Sequence, residues 1–255
     1  MILNMRKIVT SVVCLLWVFA MHAQKPDELF NKGNALFKKN QFDSAIVCYQ
    51  KIIATGYESA DVYFNLGNAF FKTKDLSKCI LYYEKARRLK PNDDEINFNL
   101  QLAQTMIVDK INILPDIFLK QWLYSIINLQ TSDNWAYWGI VSFILTLIFL
   151  LIYLISKSLG VKKTFFWLSA LTLLIAVFSF AESYKQKKLY EAHDTAIVQT
   201  ASVTIKSSPD EKGNDLFVIH EGTKVTIIDE VGEWREIKIS DGNKGWLKLS
   251  DIELI

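Results

Sequence analysis

Two runs of the chain, 135–155 and 164–181, contain no Asp, Glu, Lys or Arg. Each approaches the roughly 20 apolar residues that a helix needs to cross a bilayer. The first opens on Trp135, Tyr137 and Trp138, an aromatic cluster of the kind found at membrane interfaces. Thr131-Ser132-Asp133 supplies a helix cap just before it. Between the runs, a loop at 156–163 carries Lys157, Lys162 and Lys163 and no acid. The pattern predicts a transmembrane helical hairpin. A shorter apolar stretch, Ile8 to Ala20, follows the basic pair Arg6-Lys7 and ends in the small residues Ala20 and Ala23. That layout predicts a signal peptide over 1–23, with cleavage after Ala23 or Ala20. The alternative is an uncleaved N-terminal anchor.

From 24 to 110 the apolar positions follow helical spacing, as in Val62, Tyr63, Leu66, Ala69 and Phe70. This region also repeats itself without a gap. Phe30-Asn31, Gly33-Asn34, Ile46 and Tyr49 recur 34 residues on as Phe64-Asn65, Gly67-Asn68, Ile80 and Tyr83. A fixed period of that length predicts a repeat architecture that builds extended binding surfaces. The units span 26–59 and 60–93, each two helices joined by a tight turn. Phe98, Asn99, Leu100 and Ala103 extend the period once more, so 94–108 is expected to be a helix that caps the stack.

These units resemble the tetratricopeptide repeat (TPR). The residues carrying the likeness are Tyr63, Leu66-Gly67, Phe70, Cys79, Tyr83 and Pro91, with Gly33, Ala45 and Tyr49 in the weaker first unit. The resemblance implies an all-α solenoid whose first helices line a concave groove. On it would lie Phe30, Asn31 and Asn34, then Phe64, Asn65 and Asn68, then Phe98 and Asn99. Asparagine amides both donate and accept, so a row of them suits a peptide backbone, and the phenylalanines would provide apolar pockets. The competing reading puts the Phe residues inside and leaves the Asn residues to solvate or cap helices. Phe30 and Glu95 stand where the family's carboxylate clamp needs basic residues, which argues against such a clamp.

After residue 193 the period becomes two. Ala196-Ile-Val, Ser202-Val-Thr-Ile, Leu216-Phe-Val-Ile, Lys224-Val-Thr-Ile-Ile, Trp234 to Ile239 and Gly245-Trp-Leu-Lys-Leu read as strands. Glu221-Gly222, Val231-Gly232 and Asp241-Gly242 mark turns between them. The region 193–255 resembles a bacterial SH3 (SH3b) domain, which implies an all-β SH3-like barrel that binds peptides or cell-wall fragments. Trp234 and Trp246 are its candidate ligand surface, with core packing the alternative.

The connector at 111–134 carries Ile117, Phe118, Trp122, Leu123, Ile126 and Ile127 as one apolar face. It reads as an amphipathic helix on the lipid bilayer or against the repeat stack. A net charge of +2, spread along the chain, leaves no nucleic-acid footprint. Cys14, Cys48 and Cys79 are too few and too scattered for a disulfide framework or a metal site. His193 and His220 have no nucleophile or metal-ligand spacing around them. No catalytic set is visible, and neither an enzyme, a metal nor a cofactor is expected.

An exported N-terminus would place the repeats and the β region outside the cytoplasm and the lysine-bearing loop 156–163 inside it, in line with the positive-inside rule. The order of signal peptide, TPR stack, hairpin and SH3b domain resembles the BatE-like proteins of the Bat (aerotolerance) operon. That resemblance implies a multi-pass protein of the bacterial inner membrane with periplasmic TPR and SH3b domains. It also implies partners with von Willebrand factor A domains and a MoxR-type ATPase. The expected role is a scaffold linked to aerotolerance or envelope stress. The alternative is a cell-wall-binding or envelope-sensing protein whose SH3b domain reads peptidoglycan.

Overall fold

The computed structural model describes residues 24–110, 130–191 and 194–255. The expected signal peptide, with Cys14, and most of the connector lie outside the described residues, as does His193. Three parts follow one another along the chain: a helical stack, a long apolar hairpin and an antiparallel sheet.

The stack comprises α1 (Gln24–Lys38), α2 (Phe42–Ile53), α3 (Ala60–Thr73), α4 (Leu76–Leu89) and α5 (Asp94–Gln104). The sequence period recurs in the backbone. Asn40 and Lys74, which end the turns after α1 and α3, both adopt left-handed φ values, 60° and 66°. In each turn the next amide reaches back to the helix, Gln41 to the Leu36 carbonyl at 3.0 Å and Asp75 to the Phe70 carbonyl at 3.1 Å. This closure satisfies carbonyls that the helix end leaves without partners. The Asp75 side chain caps α4 by accepting from the Lys78 amide, and Asp93 caps α5 through the amides of Glu95 and Ile96.

Within each unit the two helices meet at a glycine. A Cβ on Gly67 would lie 2.6 Å from Cδ1 of Tyr83, and one on Gly33 would lie 2.6 Å from Cε1 of Tyr49. Both tyrosines are almost fully buried, so their rings have no room to retreat. Gly67→Ala is therefore expected to destabilise the stack by up to about 2 kcal/mol. This is an overpacking cost of about 1–3 kcal/mol, partly offset by about 1 kcal/mol of helix propensity. An unchanged Tm in thermal unfolding would remove close approach as the reason for glycine here.

Ala45, Tyr49, Leu66, Cys79, Ile80 and Tyr83 make the centre of the helical core, with Leu100 and Ala103 of α5 closing one end. Cys48 and Cys79 are both buried free thiols, and burial pushes the Cys79 thiol up to about 12. Each packs as a small hydrophobe.

The hairpin pairs α6 (Ser132–Ile155) with α7 (Leu159–Glu191). Both are long and apolar enough to cross a membrane. The connection between them is shorter than expected, because α7 already begins at Leu159 and takes Lys162 and Lys163 into its first turns. At about 1.5 Å per residue α7 is roughly 50 Å long, well beyond the roughly 30 Å of a hydrocarbon core. Its last turns therefore extend past any bilayer it spans. The helices meet along small and hydroxylated residues. Gly139 faces Phe180, the Thr146 and Thr172 hydroxyls lie 2.9 Å apart, and Ser142 and Ser169 are buried. Without a hydrophobic drive between helices in lipid, close backbones and shared hydrogen bonds hold such a pair together.

The sheet comprises β1 (Thr195–Val198), β2 (Ser202–Lys206), β3 (Asp215–His220), β4 (Lys224–Val231), β5 (Trp234–Lys238), β6 (Lys244–Lys248) and β7 (Ile252–Leu254). All pairs are antiparallel, in the order β3-β2-β6-β5-β4-β1-β7. Val203, Ile205, Val225, Ile237 and Leu247 fill its core. The strand pattern predicts six of these elements. The seventh, β7, is three residues long and pairs with β1, Val198 opposite Ile252.

The β module is docked on the stack. Ile197 and Ile255 belong to the helical core rather than to the sheet's own core. The β3–β4 turn presses on the segment after α5 and on α4 so closely that a Cβ on Gly222 would lie 2.7 Å from Cγ2 of Ile107 and 3.2 Å from Cδ1 of Ile80 of α4. The end of the stack is thus covered jointly by α5 and by the edge of the sheet.

Candidate functional site

The Phe-Asn positions fall on the first helices α1, α3 and α5, which carry a hydrogen-bonded ladder between them. The Asn34 amide oxygen accepts from the Tyr49 hydroxyl at 2.7 Å and from Asn65 Nδ2 at 3.0 Å. One unit on, the Asn68 oxygen accepts from the Tyr83 hydroxyl at 2.6 Å and from Asn99 Nδ2 at 3.3 Å. Burial pushes the Tyr49 hydroxyl up to about 12, and the Tyr83 hydroxyl is raised further by burial and by Cys79. Both phenols therefore stay protonated and remain donors. The ladder ties each unit to the next while using one end of each amide. The Nδ2 groups of Asn34 and Asn68 and the oxygens of Asn65 and Asn99 make no other hydrogen bond among the described residues. Asn31 is exposed and stands outside the ladder.

The phenylalanines divide in a way that the helix count explains. Phe30 leans on Tyr49 with ring centroids 6.2 Å apart, and Phe64 leans on Tyr83 at 5.7 Å. Both are half-buried against the core. Phe98 lies on α5, which no second helix of its own unit follows among the described residues, so it has no tyrosine to lean on. It is 66% exposed.

On the sheet, Trp234 pairs with Lys248 and Trp246 with Glu236 across β5 and β6. Alternation along the strands then puts both tryptophans on one face, diagonal to each other, with Ile237 and Leu247 on the other. Both are half-buried, and the Lys248 ammonium sits 5.6 Å from the Trp234 ring centre. The docking contacts with the stack come from other parts of the module: β1, the β3–β4 turn, Lys224 and Ile255.

That docking seam contains the polar residues that reading the sequence missed. Asp109 Oδ2 accepts from the His220 amide at 2.7 Å and from the Thr223 hydroxyl at 2.6 Å, and Oδ1 lies 2.8 Å from His220 Nδ1. Burial alone would raise the Asp109 carboxyl, but hydrogen bonds from Thr223 and His220 outweigh it and hold the group below its ordinary 3.8. Glu84, 2% exposed, accepts from Lys224 Nζ at 3.0 Å and from the Arg87 guanidinium at 2.5 Å. Arg88 donates to the main-chain oxygen of Ile255. The turn signal at Glu221-Gly222 was visible in the sequence, but its partner Asp109 sits in no pattern. Among the described residues, no group of three or more His, Cys, Asp and Glu side chains converges to hold a metal ion.

Comparison with known proteins matches three segments to family models. Residues 33–74 match a TPR repeat, 60–93 a tetratricopeptide repeat and 201–253 a bacterial SH3 domain. A crystal structure from Bacteroides ovatus ATCC 8483, whose description names a protein binding protein, aligns with 66% of this chain and 100% of its own at 14% identity. The TM-score of that alignment is 0.21. No curated protein matches the chain. The chain therefore combines TPR repeats, two helices apolar enough to span a membrane and an SH3b module, a combination that fits protein interaction or envelope binding.

Proposed function

We propose that this chain is a non-enzymatic, membrane-anchored scaffold that holds partner proteins through its TPR and SH3b modules. The partners in this reading are other membrane proteins of a Bat-type complex, bearing von Willebrand factor A domains, in a system linked to aerotolerance or envelope stress. The protein would be a multi-pass inner-membrane protein with both modules in the periplasm. The observation that carries the reading is the polar and apolar capacity left along α1, α3 and α5. Phe98 and Asn31 are exposed, and each ladder amide keeps one end for a peptide backbone.

The test must spare the ladder, because Asn65 and Asn99 also hold the units together. Asn31→Ala combined with Phe98→Ser changes only exposed side chains, and it is expected to weaken co-purification of the von Willebrand A-domain partners by roughly tenfold while leaving Tm unchanged. Undiminished recovery of those partners would sink the groove assignment. The second reading, an envelope sensor whose SH3b module binds peptidoglycan, draws on the Trp234 and Trp246 pair, which the docking contacts leave clear. Retention of the chain on purified sacculi, lost on Trp234→Ala, would favour it.

A further inference from the structure

We propose that the cavity where stack, hairpin and β module meet binds the headgroup of phosphatidylethanolamine, a lipid bearing both a phosphate and a primary ammonium. This goes beyond the scaffold reading and rests on its assignment of α6 and α7 as membrane spans. The cavity is an open cleft of about 920 Å³. Its walls come from α4 of the stack, from Thr131 to Asp133 at the start of α6, from Gln186 and Lys187 late in α7, and from β1 and Lys224 of the β module. Thr131 to Asp133 precede the charge-free run of α6, and Lys187 lies past the apolar part of α7. Both walls of the hairpin therefore stand where its apolar length ends, at the level that headgroups occupy.

The cavity's charges are mixed. Arg87, Arg88, Lys187 and Lys224 line it together with Glu58, Glu84, Asp133 and Asp194. A purely anionic or purely cationic ligand would meet repulsion from one set, whereas a zwitterion answers both. Glu84 sharpens the choice. Its Oε2 already holds Lys224 and Arg87, but its Oε1 is buried with no hydrogen-bond partner among the described residues. A buried carboxylate oxygen is stabilised by a donor. A primary ammonium brings three N–H donors, the quaternary ammonium of phosphatidylcholine brings none, and phosphatidylglycerol has no cation at all. The guanidinium groups of Arg87 and Arg88 suit the phosphate by geometry as well as charge.

The full chain, reconstituted in nanodiscs of equal parts phosphatidylethanolamine, phosphatidylcholine and phosphatidylglycerol, provides the test by native mass spectrometry of the lipid it retains. Phosphatidylethanolamine is expected to be retained roughly tenfold over either competitor. Glu84→Gln should abolish that preference. Lys187→Gln, on the hairpin wall and outside the Asp109 and Glu84 contacts, should lower retention several-fold while the helical circular dichroism stays unchanged. Equal retention of the three lipids, or a preference that survives Glu84→Gln, overturns the proposal. So does displacement by micromolar phosphoethanolamine, which would make the ligand a free zwitterion. Carbonate extraction separates the two readings. A chain that is extracted is not an integral membrane protein, and both then fall; a chain that stays in the membrane but shows no preference overturns the headgroup assignment alone.

Discussion

Asp109→Ala is expected to release the β module's docking edge from the stack at a cost of about 2–4 kcal/mol. One carboxylate satisfies a backbone amide and a hydroxyl and also meets an imidazole nitrogen. Hydrogen bonds to a charged group contribute about 1.5–3 kcal/mol each, and three on one side chain do not add fully. Removing the acceptor also strands the His220 amide in the seam. Hydrogen exchange reads the result: amides of α4 and of the β3–β4 turn should exchange faster, while β5 and β6 keep their protection. If α4 is unaffected, the seam is not held through Asp109. The same contact is pH-dependent. Because the docked state holds the Asp109 pKa below 3.8, its contribution is complete above that value and is lost as pH falls through the depressed one. Acidification should therefore mimic the substitution, and Asp109→Ala should remove this part of the acid response.

Tyr83→Ala is expected to cost the stack about 3–5 kcal/mol, the range for deleting a buried aromatic ring. Against the usual total of about 5–15 kcal/mol this is a large fraction of what holds a domain folded. Tyr83 is 2% exposed, fills the space that Gly67 leaves open and donates to Asn68. Tyr83→Phe keeps the ring and loses only the hydroxyl, for about 1 kcal/mol. Urea unfolding of the two variants followed by helical circular dichroism should separate them clearly. Similar midpoints would mean that the hydrogen bond, not the ring, carries the site.

The hairpin could be read from the sequence because the charge-free run from Trp135 to Ile155 has the length and apolarity of a helix able to cross a membrane. The strands were equally legible, since Val203 and Ile205 alternate with polar neighbours. Helix length was less so. Nothing at Glu182 stops α7, because Lys185, Lys187 and Lys188 are good helix formers outside the apolar run. The strand β7 escaped because three residues give no periodicity to detect. In the stack, the repeat predicted which residues are equivalent but not which ones touch. Asn34 bonds Asn65, 31 residues away, whereas its counterpart by period is Asn68. The competing uses of Asn, groove or structure, are combined in one amide that has two ends. The docking seam was illegible for a different reason. Asp109 and His220 lie 111 residues apart, and such pairs leave no local trace.

That separation also governs how the contact forms. Joining two points across 111 residues of free chain would carry a loop-closure penalty that grows as (3/2)RT ln n. Here the intervening chain contains two helices lying side by side, and pairing them returns α7 to the neighbourhood where α6 began. The long loop is thereby shortened before Asp109 and His220 meet, so hairpin pairing and module docking favour each other entropically.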